Sequence, residues 1–190
     1  ADFGPTLAQE KLLERHGISL SVESLRQILI EKGLWRPKQK RPQAVHPLRE
    51  RRPCRGELIQ IDGSPHAWFE GRSSRCTLIV FIDDATGELM SLAFWPQETT
   101  ESYMSGLQGY LAEHGRPVSL YSDKHSIFRI NTETADGNTV TQFGRAVEAL
   151  DIDIIHANTP QAKGRVERVN RTLQDRLIKE MRLEGIDNIE

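Results

Sequence analysis

The sequence predicts an α/β body, a mixed five-stranded sheet flanked by helices, preceded by a small helical unit. Three observations lead there. From residue 56 onward, apolar runs of strand length and amphipathic stretches of helix length follow the order β-β-β-α-β-α-β-α, which builds three antiparallel strands and then crossover units. Residues 36–55 hold four prolines, eight basic residues and one acid. That composition packs no core and marks an extended linker. Charge is also divided: residues 1–55 carry twelve Lys/Arg against six acids, net +6, which leaves 13 basic and 21 acidic residues, net −8, in 56–190. A basic front suits a polyanion, and an acidic body has carboxylates to offer a metal.

The front, residues 1–35, reads as two helices. The first spans about residues 5–15, with Leu7, Leu12 and Leu13 on its apolar side and His16-Gly17 as its stop. Ser21 caps the second, SVESLRQILIEKG, and Gly33 ends it. Two short helices about a Gly-containing turn match a partial helix-turn-helix, with Ser21, Glu23, Ser24, Arg26 and Gln27 as groove-facing candidates. A plain αα-hairpin fits the same pattern. The basic linker behind it, with Lys38, Lys40 and Arg41, is suited to tracking phosphates.

In the body, residues 56–190, GELIQIDG reads as a strand ending in an Asp-Gly turn, and CTLIVFIDD as a buried strand. DATGE turns into LMSLAFWP; TESYMSGLQGYLAEHG is an amphipathic helix; PVSLYSD is a strand ending on Asp123. A polar excursion, 129–140, leads to the helix VTQFGRAVEALD, the strand DIDIIHA and a last helix from residue 159. There Thr159 is a cap and Pro160 sits at the first helical position. Val166, Val169, Leu173, Leu177 and Met181 form its core-facing stripe.

Composition limits the function classes. Hydrophobic content of 37% and charged content of 27% describe a globular protein. No apolar run approaches the roughly 20 residues of a membrane span, and no signal peptide opens the chain. It starts at Ala1 without Met and reads as an excised fragment. Cys54 and Cys76 lack zinc-site spacing and fit a reducing cytosol.

Two acids share one structural address. Asp62 closes the first strand and Asp123 the fourth, and in open α/β sheets the crevice beyond strand carboxyl ends holds functional groups. Glu167, early in the last helix, completes a trio. Such a trio repels itself unless protonated or metal-bound, and oxygen ligands point to Mg²⁺, with Mn²⁺ as substitute. A two-metal carboxylate site suits in-line phosphoryl transfer. Asp83 and Asp84 are rivals for the first carboxylate, but they precede Ala-Thr-Gly, where Asp initiates turns.

These stretches resemble a known family. LIQIDGSPHAWFE, FIDDATGELM, LYSDKHSIFRIN and HANTPQAKGRVERVNRTLQDRL, together covering essentially all of 56–182, resemble bacterial insertion-sequence DDE transposases with the integrase catalytic core of the retroviral integrase superfamily, most closely the ISNCY type. The resemblance implies an RNase H-like fold, Asp62, Asp123 and Glu167 as metal-binding triad, and Mg²⁺-dependent DNA cleavage and strand transfer. Water would hydrolyse the phosphodiester at the element's end, and the freed 3′-hydroxyl would attack target DNA in line. Two departures stand out. Lys124-His125 replaces the Asn-Gly of related cores, and 43 residues separate Asp123 from Glu167, an unusually long interval that the 129–140 excursion accounts for.

The last helix carries Lys163, Arg165, Arg168, Asn170 and Arg171 as DNA-contact candidates; Asn170, three residues after Glu167, is also placed to hydrogen-bond near the site or to face water, and Lys163 is equally spaced for an ion pair with Glu167. His66 and His125 are auxiliary candidates; Trp68 and Phe69 read as core, and His156 as structural. The expected partners are double-stranded DNA, as transposon ends and target, and further copies of the chain in an active homo-oligomer. The expected location is the bacterial cytoplasm, with no membrane. An RNase H-like nuclease without strand transfer and a non-catalytic DNA-binding regulator remain alternatives.

Overall fold

The structure is a computed structural model that describes residues 2–37, 50–122, 127–128, 141–156 and 164–189. The chain divides into two compact units, Ala1–Val45 and His46–Glu190.

The first unit contains α1 (Pro5–His16) and α2 (Val22–Glu31). Gly17 ends α1 in the left-handed region at φ 65, with its N–H on the Leu13 carbonyl and that of Ile18 on Leu12. Ser21 caps α2 by accepting from the Ser24 N–H at 3.0 Å. Leu7 of α1 and Leu25 of α2 are buried, whereas Leu13, expected on the packed side, is about half exposed. Two helices present each other only one narrow stripe, so the neighbouring apolar positions stay outside it. Among the groove candidates, Ser21 and Ser24 use their hydroxyls at the cap, and Arg26 pairs with Glu23 at 2.6 Å.

The second unit is a five-stranded sheet in the order β3-β2-β1-β4-β5, made of β1 (Leu58–His66), β2 (Cys76–Asp83), β3 (Leu89–Trp95), β4 (Ser119–Ser122) and β5 (Asp153–His156). β1–β2 and β2–β3 pair antiparallel, while β1–β4 and β4–β5 pair parallel, the mixed sheet that the element order predicts. The helices are α3 (Thr100–His114), α4 (Gln142–Ala149) and α5 (Gly164–Leu183). Every residue of β2 is buried, as befits a strand covered on both faces.

The sheet separates two cores. On one face Ile59, Ile61, Ile79 and Phe81 meet Tyr103, Leu107 and Tyr110 of α3 and Phe143 and Val147 of α4. On the other, Leu78, Val80 and Ile82 meet Trp68, Phe69 and the α5 stripe of Val166, Val169, Leu173, Leu177 and Met181. Trp68 and Phe69 are fully buried and pack on Phe94, the core role expected of them. Thr159 and Pro160, the expected helix start, lie outside the described residues. Among the described residues, no helix is long and apolar enough to cross a membrane.

Two expectations need correction. β1 does not end at Asp62: it runs through Gly63, which pairs with Ile79, to His66. The glycine serves packing instead of a turn, since a Cβ there would lie 2.6 Å from the Glu98 carboxyl carbon. The end of the expected linker, residues 51–55, is also bonded to the body. Arg51 donates to the Ala85 carbonyl at 3.1 Å, the Arg52 N–H to Asp84 at 2.9 Å and Arg55 to Glu88 at 2.8 Å, so this end is fastened to the β2–β3 turn.

Candidate active site

Alternation along β1 sends Ile59 and Ile61 into the α3 core and turns Gln60, Asp62 and Ser64 toward the opposite face. α5 lies along that face in step with the strand. Asn170 Nδ2 donates to Asp62 Oδ2 at 2.8 Å, and Gln174 Nε2 donates to Ser64 Oγ at 3.0 Å. Four helical residues advance about 6 Å and two strand residues about 6.6 Å, so one spacing matches the other.

Glu167 stands three residues before Asn170 on the same flank of α5 and is exposed; Asp62 is half-buried. Asn170 is buried with its amide committed to Asp62, the hydrogen bond near the site that its spacing allowed and not a DNA-facing position. Its Oδ1 is buried and has no hydrogen-bond partner among the described residues. Arg165, another DNA-contact candidate, points inward, with Nη1 on Asp84 at 2.5 Å. Arg168 and Arg171 are exposed.

Asp62 lies two residues past Gln60, the last β1 residue paired with β4. Ser122 ends β4 one residue past Tyr121, the partner of Gln60, and Asp123 follows it in sequence. Asp123, His125, Lys163, Lys38, Lys40 and Arg41 lie outside the described residues. Among the described residues, no group of three or more His, Cys, Asp or Glu side chains converges as a metal site.

The rival aspartates have structural work. Asp83 accepts from the Thr86 N–H and hydroxyl, both at 2.8 Å, and so makes the turn expected of it. Asp84 is completely buried and bonded to Gln60, Arg165 and the Arg52 N–H. His66 sits four residues beyond Asp62, roughly 13 Å along the strand, with its ring edge-on to Trp68 at 5.6 Å.

Glu98 is a neighbour that motif reading missed. It lies against Gly63 on the strand face away from Asp62 and accepts from the Tyr103 hydroxyl at 2.6 Å. The available signal was a glycine inside a strand, which marks close approach by another group.

No family profile matches the sequence. The chain is 57% identical to "Putative transposase y4bF" of Sinorhizobium fredii (strain NBRC 101917 / NGR234), across 98% of the chain and 41% of that protein. It is 36% identical to the transposase for insertion sequence IS1202 of Streptococcus pneumoniae, across 95% of the chain and 46% of that protein. The chain therefore spans somewhat under half the length of these curated relatives. Its fold matches a chain of the simian T-cell lymphotropic virus intasome solved with the PP2A regulatory subunit B56 gamma, with TM-score 0.58 and 21% identity over 91% of this chain and 57% of that one. It also matches the HTLV-2 integrase catalytic core in complex with magnesium, with TM-score 0.50 and 18% identity over 66% of this chain and 72% of that one.

Proposed function

For a chain homologous to insertion-sequence transposases and built on the fold of retroviral integrase cores, we propose the role of catalytic centre in DNA transposition. It is a DDE polynucleotidyl transferase that hydrolyses the phosphodiester at transposon ends and joins the freed 3′-hydroxyl to target DNA. The carrying observation is the Asn170–Asp62 hydrogen bond of 2.8 Å. It ties the helix bearing Glu167 to the strand bearing Asp62, on the face away from the α3 core. Asp123 is the third carboxylate, one residue beyond the end of β4, the strand next to β1.

The donor set fits Mg²⁺, or Mn²⁺ in its place: carboxylate oxygens, a buried amide oxygen awaiting a partner, and neither sulfur nor imidazole. Held by Asp62, Asp123 and Glu167, the ion would supply charge neutralisation at the scissile phosphate and activate the attacking oxygen. The chain's own residues provide the rest. Asn170 fixes the Asp62 carboxylate, and Lys163, Arg168 and Arg171 bind the phosphates that flank the reacting bond. The first unit and the basic stretch through Lys38, Lys40 and Arg41 hold more of the duplex, α2 acting as the recognition helix of a helix-turn-helix. The active species is a homo-oligomer working in the bacterial cytoplasm.

The test is strand transfer with oligonucleotide duplexes carrying candidate terminal inverted repeats, in Mg²⁺, comparing the parent chain with Asp123→Asn. Joined product from the parent and none from the variant is the expected result. Equal joining by both sinks the assignment.

A further inference from the structure

Arg165 and Asp84 carry an inference that rests on the reading of Glu167 as catalytic. We propose that this buried ion pair is a rotational pin for α5, and that Arg165 positions Glu167 without itself contacting DNA.

Asp84 has no exposed surface. A carboxylate so placed is tolerable only when its charge is matched and its oxygens are bonded. The matching groups come from three separate parts of the chain: Oδ1 accepts from Gln60 Nε2 of β1 at 2.6 Å and from Arg165 Nη1 at 2.5 Å, and Oδ2 from the Arg52 N–H at 2.9 Å. The Asp84 N–H bonds to the Leu58 carbonyl at 2.9 Å, which fastens the residue to the start of β1. Asp84 is thus a fixed post in the sheet, and Arg165 reaches it from the second residue of α5.

The angular layout of α5 shows what the reach accomplishes. At about 100° per residue, and counting from Arg165, Val169, Leu173, Val166 and Leu177 fall at about 40°, 80°, 100° and 120°, the stripe on the sheet. Asn170, Gln174 and Glu167 fall at about 140°, 180° and 200°, on the far flank of that stripe. The apolar stripe is non-directional and resists a small roll of the helix only weakly. Polar ties on both flanks do resist it: Asn170–Asp62 and Gln174–Ser64 on one side, Arg165–Asp84 on the other. Without the Arg165 tie, the first turn of α5 can roll toward the Asp62 flank, and Glu167, two residues on, moves with it.

The experiment uses the 190-residue chain with a terminal-repeat duplex and Mn²⁺, and compares Arg165→Gln, Asp84→Asn, their double variant and Arg165→Lys with the parent. Duplex affinity is measured across salt concentrations, with Arg171→Gln as a phosphate-contact control, and nicking is measured with all duplex bound. Arg165→Gln and Asp84→Asn are each expected to slow nicking of the bound duplex about tenfold or more. The double variant should be no slower than either single, and Arg165→Lys should recover part of the rate. The salt slope should stay at the parent value in Arg165→Gln and fall by about one in Arg171→Gln. Two results overturn the pin: a slope lowered by about one in Arg165→Gln with its bound-state rate intact, or parent-like nicking by Asp84→Asn. Glu167→Gln keeps the two readings separate. If the parent nicks no faster than Glu167→Gln, the catalytic reading fails on its own. The pin is then decided by urea unfolding of the same variants, where shifts smaller in the double than the sum of the singles support it and additive shifts overturn it.

Discussion

Asn170→Asp tests the core of the site with a change of one atom type. The variant keeps the shape but replaces the N–H donor that lies 2.8 Å from Asp62 Oδ2 with a carboxylate oxygen. Two terms add. A hydrogen bond to a charged group is worth about 1.5–3 kcal/mol. Two like charges about 4 Å apart repel by about 4 kcal/mol at an effective dielectric near 20. Asp62 is half-buried and screened by solvent on its open side, so about half of the sum is retained, roughly 3 kcal/mol. In a chain of this size each kcal/mol lowers Tm by about 2–4 °C, which predicts a fall of roughly 6–12 °C. Thermal unfolding by circular dichroism at pH 8 with chelator measures it. Adding millimolar Mg²⁺ should recover more of the loss in the variant than it adds to the parent, because a cation between the carboxylates removes the repulsive term. A variant melting within a degree of the parent in chelator would refute the geometry, and equal Mg²⁺ responses would refute the cation reading.

Gly106→Ala should destabilise by about 1–2 kcal/mol in urea, although alanine favours helix by about 1 kcal/mol. Its Cβ would sit 2.7 Å from the ring of Phe81, which is fully buried and stacked on Tyr110; a variant more stable than the parent contradicts this. Burial raises the pKa of the Cys76 thiol and of the Tyr110 phenol, the latter helped by nearby Asp83. Groups raised on folding lend stability that is complete below their unfolded values, near 9.0 and 10.0, and lost as pH climbs through the folded ones. The urea midpoint should therefore decline above about pH 9, and less steeply in Tyr110→Phe. Cys54 is exposed and Cys76 buried, so a disulfide reagent at pH 8 should label Cys54 within minutes and Cys76 only on unfolding; two equally fast thiols contradict the packing.

Element order and local patterning carried most of the architecture. The period of the α5 stripe, the apolar run of β2 and the cap at Ser21 all depend on residues close in sequence, and all appear as read. What escaped depends on contacts between distant residues. Asp-Gly at 62–63 has the form of a turn, yet the strand runs through it, paired with β2 at Ile79 and covered by Glu98 of the β3–α3 connection, both distant in sequence. Asp83-Asp84 looks like one turn signal, yet Asp84 turns inward to a cation 81 residues away. Arg165 and Arg171 are alike in a sequence, and the partner across the fold separates them: one is half-buried on a carboxylate, the other exposed. Asn170 sits at a spacing that marks it as noteworthy without revealing that its amide faces Asp62.

The step-for-step match of α5 to β1 bears on how such a chain tolerates changes in length. Asn170 and Gln174 meet Asp62 and Ser64 four residues against two. One residue inserted between Arg165 and Gln174 would rotate everything beyond it by about 100° and sever one set of ties. Deleting Gly63 would turn Ser64 to the opposite face. Length drift among descendants of this chain therefore belongs in segments such as the Glu70–Arg75 connection, while Gln60–Ser64 and Arg165–Gln174 should pass through evolution with their residue counts intact, whatever substitutions they collect.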